Sequence, residues 1–321
     1  MRTRSVQVVG VGLALPGVNR DDDLVNGVSS GADPVDPAAR IGRKGLRYKD
    51  RATQLALTAA KEGLSDAGLI EDGRENCPLG STTAVVASSN LGNLDTVCRS
   101  AATINDESVE SLSPMALPNA SSNVIASSVA IRFALKGPNL MVCNGPTSGL
   151  DALFWAASLI RAGRADRAVV VGAEVGNPVT AALTGHPVED LLDGAVSVIL
   201  ESAASAELRQ VPALAELGTH TRQSTVAACV DHLTEAARTR APSEIWLTPE
   251  GFEGPAGAGH GLPRHDLTSA FGRASGALGV LQCAAATNWL NSNGPGPVLL
   301  TNGHDGSDGV VGMLMESARA A

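Results

Sequence analysis

Aromatic side chains are nearly missing from this chain of 321 residues: three Trp, one Tyr and four Phe, 2% of the sequence. The core must therefore be built from Ala, Val, Leu and Ile, closely packed around 35 glycines. Cysteines are few and scattered. Cys77, Cys98, Cys143, Cys229 and Cys283 form no Cys-x-x-Cys pair and have no metal-ligand spacing to a histidine. That argues against a metal centre and for free, buried thiols in a reducing compartment. Cationic charge is also short. There are 24 Lys and Arg against 33 Asp and Glu, a net charge of −9. Such a balance argues against nucleic acid and against an anionic membrane surface. No apolar run reaches the length of a membrane span. Met1 to Arg4 leads straight into a strand rather than a signal peptide, so a cytoplasmic protein is expected.

What is there alternates. Val6 to Gly12 reads as a buried strand ending in glycines. Gly10 and Gly12 lack a third glycine in register and open no helix, so a dinucleotide site is rejected. Asp50 to Ala67 reads as an amphipathic helix with Leu55, Ala56, Ala59, Ala60 and Leu64 on one face and Gly68 as its stop. Strands are expected at Thr83–Ala87, Arg167–Gly172 and Gly194–Glu201, with a helix over Ser121–Leu135. The second half repeats the rhythm. A strand at Ala213–Thr219 precedes a helix at Ser224–Thr239, and a strand at Glu244–Thr248 precedes a helix at Ser275–Leu290. Strands at Val298–Thr301 and Val310–Leu314 close the chain. Two such halves predict an α/β layered fold with internal duplication, divided as 1–203 and a shortened 204–321.

The stretch Gly137 to Leu150 holds the centre. It runs from a Gly-Pro turn through the apolar strand Asn139–Val142 into a sharp bend. A helix with Leu150, Leu153, Phe154, Ala157 and Ile160 at helical spacing follows and stops at Gly163. A bend at a helix N-terminus is where many enzymes seat a nucleophile. Here the residue at the bend is Pro146, which suits a first helical turn but has no nucleophilic group.

This stretch resembles the active-site segment of the β-ketoacyl synthases: Gly-Pro-(Ser/Asn), a short strand, then Thr-Ala-Cys-(Thr/Ser/Ala)-Ser-Gly. Asn144-Gly145-Pro146-Thr147-Ser148-Gly149 matches it, with Pro146 in the place of the acyl-accepting cysteine. Val8 to Gly17, Arg51 to Leu69 and Ser113 to Pro138 resemble other segments of the same family. The resemblance implies a thiolase-like fold, two duplicated α/β halves packed as five layers. It also implies where two histidines would sit. Leu247 to Phe252 matches the first histidine's loop and contains none; Leu267 to Arg273 matches the second, with Arg273 at its place. The family's closing loop resembles Asn302 to Gly309 without the gating phenylalanines, and the chain is shorter than a synthase at 181–201 and 201–244.

Losing nucleophile, both histidines and the lysine expected before the second histidine together implies a catalytically silent subunit. It is similar to the chain length factors of type II polyketide synthases, which pair with an active ketosynthase and shape a shared acyl tunnel. Those commonly carry glutamine where Pro146 stands, so this chain is an atypical member. The resemblance implies a heterodimer with an active ketosynthase, with a homodimer as fallback when the chain is alone. It implies contact with an acyl carrier protein and its chain through that complex, and no cofactor. Met115, Leu117 and Asn119, in the loop Ser113–Asn119, and Met141 are the expected tunnel or partner contacts; the plain alternative for Met115 and Leu117 is core under a loop.

Two other readings stand beside this one. One is a thiolase-fold acyltransferase or condensing enzyme with Cys143 or Ser148 as nucleophile and His304-Asp305 as base. Against it, Cys143 is expected buried at the strand end, Ser148 bonded to backbone, and His304-Asp305 a solvated turn. The other is a self-associating structural homologue. Arg273 is read first as a structural salt bridge, and His260 and His265 lack further ligands for a metal. The basic run Arg40, Arg43, Lys44, Arg47, Lys49, Arg51 is notable because acyl carrier proteins are acidic, although a solvated loop explains it as well.

Overall fold

Alternate residues of the strands face two different helical layers, which is why the strand sequences read as continuous apolar runs. The structure, a computed structural model, describes residues 5–19, 24–26, 33–71, 73–115, 117–238, 244–254, 261–292 and 296–318. Its strands are β1 (Val6–Ala14), β2 (Thr83–Ser88), β3 (Asn139–Val142), β4 (Arg167–Glu174), β5 (Gly194–Ser202), β6 (Ala215–Gln223), β7 (Ile245–Leu247), β8 (Arg264–His265), β9 (Val298–Asn302) and β10 (Val310–Glu316). They lie in the order β3-β2-β4-β5-β1-β6-β10-β9-β7-β8.

Each half has the same plan. In the first, β3, β2 and β4 run parallel, and β5 runs antiparallel between β4 and β1. In the second, β8, β7 and β9 run parallel, and β10 runs antiparallel between β9 and β6. The halves meet where β1 and β6 pair at Gln7–Glu216 and Val8–Ala215. The internal duplication expected from the strand–helix rhythm is thus a repeated strand order.

The helices are α1 (Pro37–Ile41), α2 (Arg51–Asp66), α3 (Leu94–Asp106), α4 (Val124–Arg132), α5 (Ser148–Arg161), α6 (Pro178–Thr184), α7 (Ala203–Arg209), α8 (Val226–Arg238), α9 (Thr268–Phe271) and α10 (Leu278–Ser292). Asp50, the expected helix start, is the N-cap of α2: its carboxylate accepts from Thr53 N at 2.7 Å. Val85, Ala87, Val169 and Val171 pack with α2 and α4 on one outer face. Ala84, Val86, Ala168 and Val170 face inward to α5 and α10. From the other half, Ile245, Leu247, Leu300 and Met313 join that inner core, while Trp246, Leu299 and Leu314 pack with α8 on the far face. The result is five layers: helices, sheet, the central pair α5 and α10, sheet, helix.

Glycine permits the tightest approaches. A Cβ on Gly12 would lie 2.1 Å from Ala59 O, so the β1 glycines serve α2 packing. A Cβ on Gly279 would lie 2.3 Å from Leu150 N, and one on Gly149 would lie 2.6 Å from Gly279 N; α5 and α10 cross there backbone to backbone. The expected helix over Ser121–Leu135 is shorter, Val124–Arg132, and the loop Ser113–Asn119 ends in a 3-10 turn at Leu117–Ala120. Helices α1, α3, α6, α7 and α9 and the two-residue strand β8 were not foreseen. Among the described residues no helix is long and apolar enough to cross a membrane, and no group of three or more His, Cys, Asp or Glu could hold a metal. His260 lies outside the described residues.

Candidate functional site

The bend is a 3-10 turn, Gly145–Thr147, leading into α5. Gly145 adopts φ +76°, a region that suits glycine, so the chain can reverse there without strain. Pro146 follows it and faces solvent. Proline offers neither a nucleophile nor a backbone N–H, so position 146 supplies no donor that could polarise a carbonyl.

A polar network holds this turn. Ser148 is fully buried; its hydroxyl accepts from Asn144 N at 2.8 Å and lies 2.8 Å from Gly145 O and 3.0 Å from Asn90 Oδ1. Asp151, one turn on, accepts from Asn144 Nδ2 (2.5 Å), Thr147 Oγ1 (2.8 Å) and Arg222 Nη2 of β6 (2.7 Å). Ser148 is therefore a bonded structural hydroxyl with no exposed surface for a substrate. Cys143 departs from expectation: it is exposed, because β3 is the edge of the sheet and the chain leaves it there. Its thiol is nevertheless not activated, since desolvation, and then the nearby Glu174 carboxylate, push its pKa up. Cys98 is exposed as well, on the unforeseen α3.

Three other segments converge on the bend. Asn90 Nδ2 donates to Gly145 O and to Ser275 Oγ, both at 2.9 Å, and so ties the bend to the 273–276 segment. Glu174, at the end of β4, accepts from Asn90 N (2.6 Å), Leu91 N (3.1 Å), Gly276 N (3.1 Å) and Ser89 Oγ (3.3 Å). Burial pushes its pKa up to about 7 against the pull of those donors. Glu250 completes the wall. Its Oε1 meets Arg273 Nη2 at 2.8 Å, and its Oε2 accepts from Ala274 N (3.0 Å) and Ser275 N (3.1 Å). Arg273 is thus the ion-pair residue that the simpler reading of the sequence describes.

Glu174, Glu250, Arg273 and Ser275 line a cavity of about 260 Å³ with Leu91 and His186. A larger space of about 920 Å³ lies elsewhere, between α2, α10 and β1, and includes no residue of the bend. His304 and Asp305 do not form a base: His304 is exposed, and Asp305 accepts from Val226 N at 2.7 Å, at the start of α8. Asn119 is buried, donates to Tyr48 O and accepts from Asn93 Nδ2, so it is engaged within the chain. Met115 is 58% exposed and Leu117 47%, which removes the reading of these two as core. Met141 is partly buried on β3, whose outer edge has no strand partner among the described residues. Sequence reasoning missed Asn90, Asp151, Glu174, Arg222 and Glu250. The spacing of Thr147 and Asp151, one helical turn, was the available signal for one of them.

Residues 32–185 match the family model described as β-ketoacyl synthase, N-terminal domain. The chain is 26% identical over 197 residues to 3-oxoacyl-[acyl-carrier-protein] synthase 2 of Coxiella burnetii, covering 54% of this chain and 47% of that protein. It is 29% identical over 204 residues to a protein of Streptomyces violaceoruber assigned as granaticin polyketide β-ketoacyl synthase 1, covering 56% and 48%. The chain therefore matches about half the length of these relatives. Among solved structures, the ishigamide ketosynthase/chain length factor aligns with a TM-score of 0.71 at 23% identity over 98% of this chain and 100% of that one. A type II polyketide synthase acyl-carrier protein in complex with its ketosynthase bound to the hexaketide aligns at 0.74 and 18%, over 99% and 100%. At these identities the likeness is one of fold.

Proposed function

Residues 32–185 carry a β-ketoacyl synthase N-terminal domain on a thiolase-like fold, and from that premise we propose that this chain is a catalytically silent subunit of the chain length factor kind. In this reading it pairs with an active ketosynthase in type II polyketide biosynthesis, in the cytoplasm, and helps to shape the acyl tunnel. The observation that carries it is Pro146 at the bend: the seat is intact, and both the nucleophile and the backbone N–H are gone. The Glu250–Arg273 pair supports it, because two mutually neutralised side chains fill the wall where a pair of neutral proton carriers would be needed. The division at residues 203/204 belongs to the same proposal.

Partner contacts are assigned to the open edge of β3 around Met141 and to Met115 and Leu117. An apolar edge strand without a neighbour is an aggregation liability unless another chain covers it. Contact with an acidic acyl carrier protein is assigned to Arg43, Lys44 and Arg47, which are exposed and have no acid partner among the described residues. A second reading, an enzyme using Cys143, has in its favour only that this thiol is exposed.

The test of the tunnel role is product length. In a complex with an active ketosynthase, Leu117→Trp should shorten the polyketide and Leu117→Ala should lengthen it or broaden its distribution. Mass spectrometry of the products, at equal amounts of folded complex, is the measurement. Unchanged products in both directions would remove this loop from the tunnel.

A further inference from the structure

The two halves of the sheet touch along very little. β1 and β6 pair at Gln7–Glu216 and Val8–Ala215, while on its other edge β1 stays paired with β5 as far as Ala14. Beyond Val8 the β6-facing edge of β1 has no strand beside it among the described residues. A strand edge left that way needs other partners for its backbone groups. Side chains supply them. Asp66 Oδ2 of α2 accepts from Val11 N at 2.8 Å, Glu62 Oε2 of α2 accepts from Leu13 N at 3.1 Å, and Arg40 Nη1 of α1 donates to Leu13 O at 2.8 Å. Helices thus satisfy the edge without filling the space beside it, and that space is the cavity of about 920 Å³.

Its size is that of a small-molecule site, which runs to about 300–1,000 Å³. Leu13, Ile41, Leu214 and Ala284 give it an apolar surface. Its charges are already matched. Arg40 holds Glu62 at 3.1 Å, Lys61 Nζ turns onto Arg40 O at 3.5 Å, and both acids are bound to the backbone of β1. A charged ligand would have to break one of these contacts or lose its water without gaining a counter-ion. Burial raises the pKa of Glu62 even against the pull of Arg40, so added negative charge is disfavoured there as well.

The wall contributed by α10 is different. Asn291 is engaged, its Nδ2 donating to Thr287 O at 2.7 Å and to Leu214 O at 3.2 Å. Asn288 also lines the cavity, but its Oδ1 is buried with no hydrogen-bond partner among the described residues. An unmet buried acceptor costs stability unless something outside the chain meets it. The amide turns about a broad terminal torsion, so a group inside the cavity can reach it. We propose that the cleft between α2, α10 and β1 binds one uncharged small molecule with an apolar body and a hydroxyl or amide N–H that donates to Asn288. Its floor comes from the first half and this wall from the second, so the bound molecule fastens the halves where their sheets barely meet. The site includes no residue of the bend, and the inference does not rest on the silent-subunit reading.

Four compounds on one frame test it: 2-naphthol, 2-methoxynaphthalene, 2-naphthoate and 2-naphthylmethylammonium, each titrated into the purified full chain and followed by ligand-observed NMR. 2-Naphthol should bind at least about fivefold more tightly than the ether, which lacks the donor, and than either charged compound. Asn288→Leu should weaken 2-naphthol by about fivefold or more and leave 2-methoxynaphthalene unchanged. Ser65→Trp and Ser292→Trp, at exposed positions on the two facing walls, should each abolish 2-naphthol binding. A 2-naphthol that does not bind, which would make this a cavity for water only, would overturn the proposal. So would a charged compound that binds as tightly, binding that survives both tryptophans, or an Asn288→Leu chain that binds 2-naphthol as well as the wild type.

Discussion

Glu250 holds three partners with one carboxylate: Arg273 and the N–H groups of Ala274 and Ser275. Removing it should cost more than removing its ion-pair partner. Glu250→Ala leaves two backbone donors without an acceptor, about 1–3 kcal/mol. Arg273 is 40% exposed, and Arg273→Ala should cost less than about 1 kcal/mol. Urea unfolding of both variants checks the order; equal costs would mean that the pair, and not the cap on the 273–276 segment, is what Glu250 supplies. A second residue sets a pH dependence. Burial lowers the pKa of His220 to about 4, with Asp151 pulling it up and Arg222 and Arg161 pushing it down. Its ring stacks on Phe154 at 4.3 Å, and its Nε2 is buried without a hydrogen-bond partner among the described residues. The folded value lies below the free value of 6.5. The contribution is therefore complete above pH 6.5 and is lost as pH falls toward 4, at most about 3 kcal/mol. His220→Phe keeps the stack and should flatten that part of the stability–pH curve; an unchanged slope would show that another group sets it.

The central helices depend on two glycines that face each other. Gly279→Ala should raise intrinsic helix propensity by about 1 kcal/mol, yet its Cβ would meet Leu150 N at 2.3 Å. Backbone cannot step aside as a side chain can, so a net loss of about 3 kcal/mol or more is expected in chemical denaturation. A stabilised variant would contradict the close crossing. At this scale the sequence was largely legible, because the signals were periodic: the apolar runs of β2, β4 and β5 and the stripe of α2 needed no knowledge of their partners. Helix α3 was not legible for the opposite reason. The face it packs toward its neighbours is polar, Thr96, Ser100 and Thr103, and its apolar stripe, Val97, Ala101 and Ile104, is short and mixed with acids and hydroxyls. Polar contacts of long sequence separation were equally hidden. Asn90 reaches Gly145 and Ser275, and Glu250 reaches Arg273, and nothing in the order of residues marks such pairs. Cys143 was read as buried because it follows an apolar strand; that β3 lies at the sheet edge is a fact of topology, not of local pattern.

For the whole molecule, the proposal is that the fold keeps a condensing enzyme's shape without its chemistry. The five layers and the bend are present, while Pro146 supplies neither side-chain nucleophile nor N–H. In the proposed reading such a chain contributes surface and tunnel walls to an assembly. Intact-protein mass spectrometry addresses this most directly: the purified chain, alone and mixed with an active ketosynthase, is incubated with an acyl thioester of an acyl carrier protein. The account predicts that the acyl mass shift is confined to the ketosynthase and that this chain keeps its unmodified mass. A stable acyl adduct on this chain, mapped to Cys143 or Ser148, would contradict it.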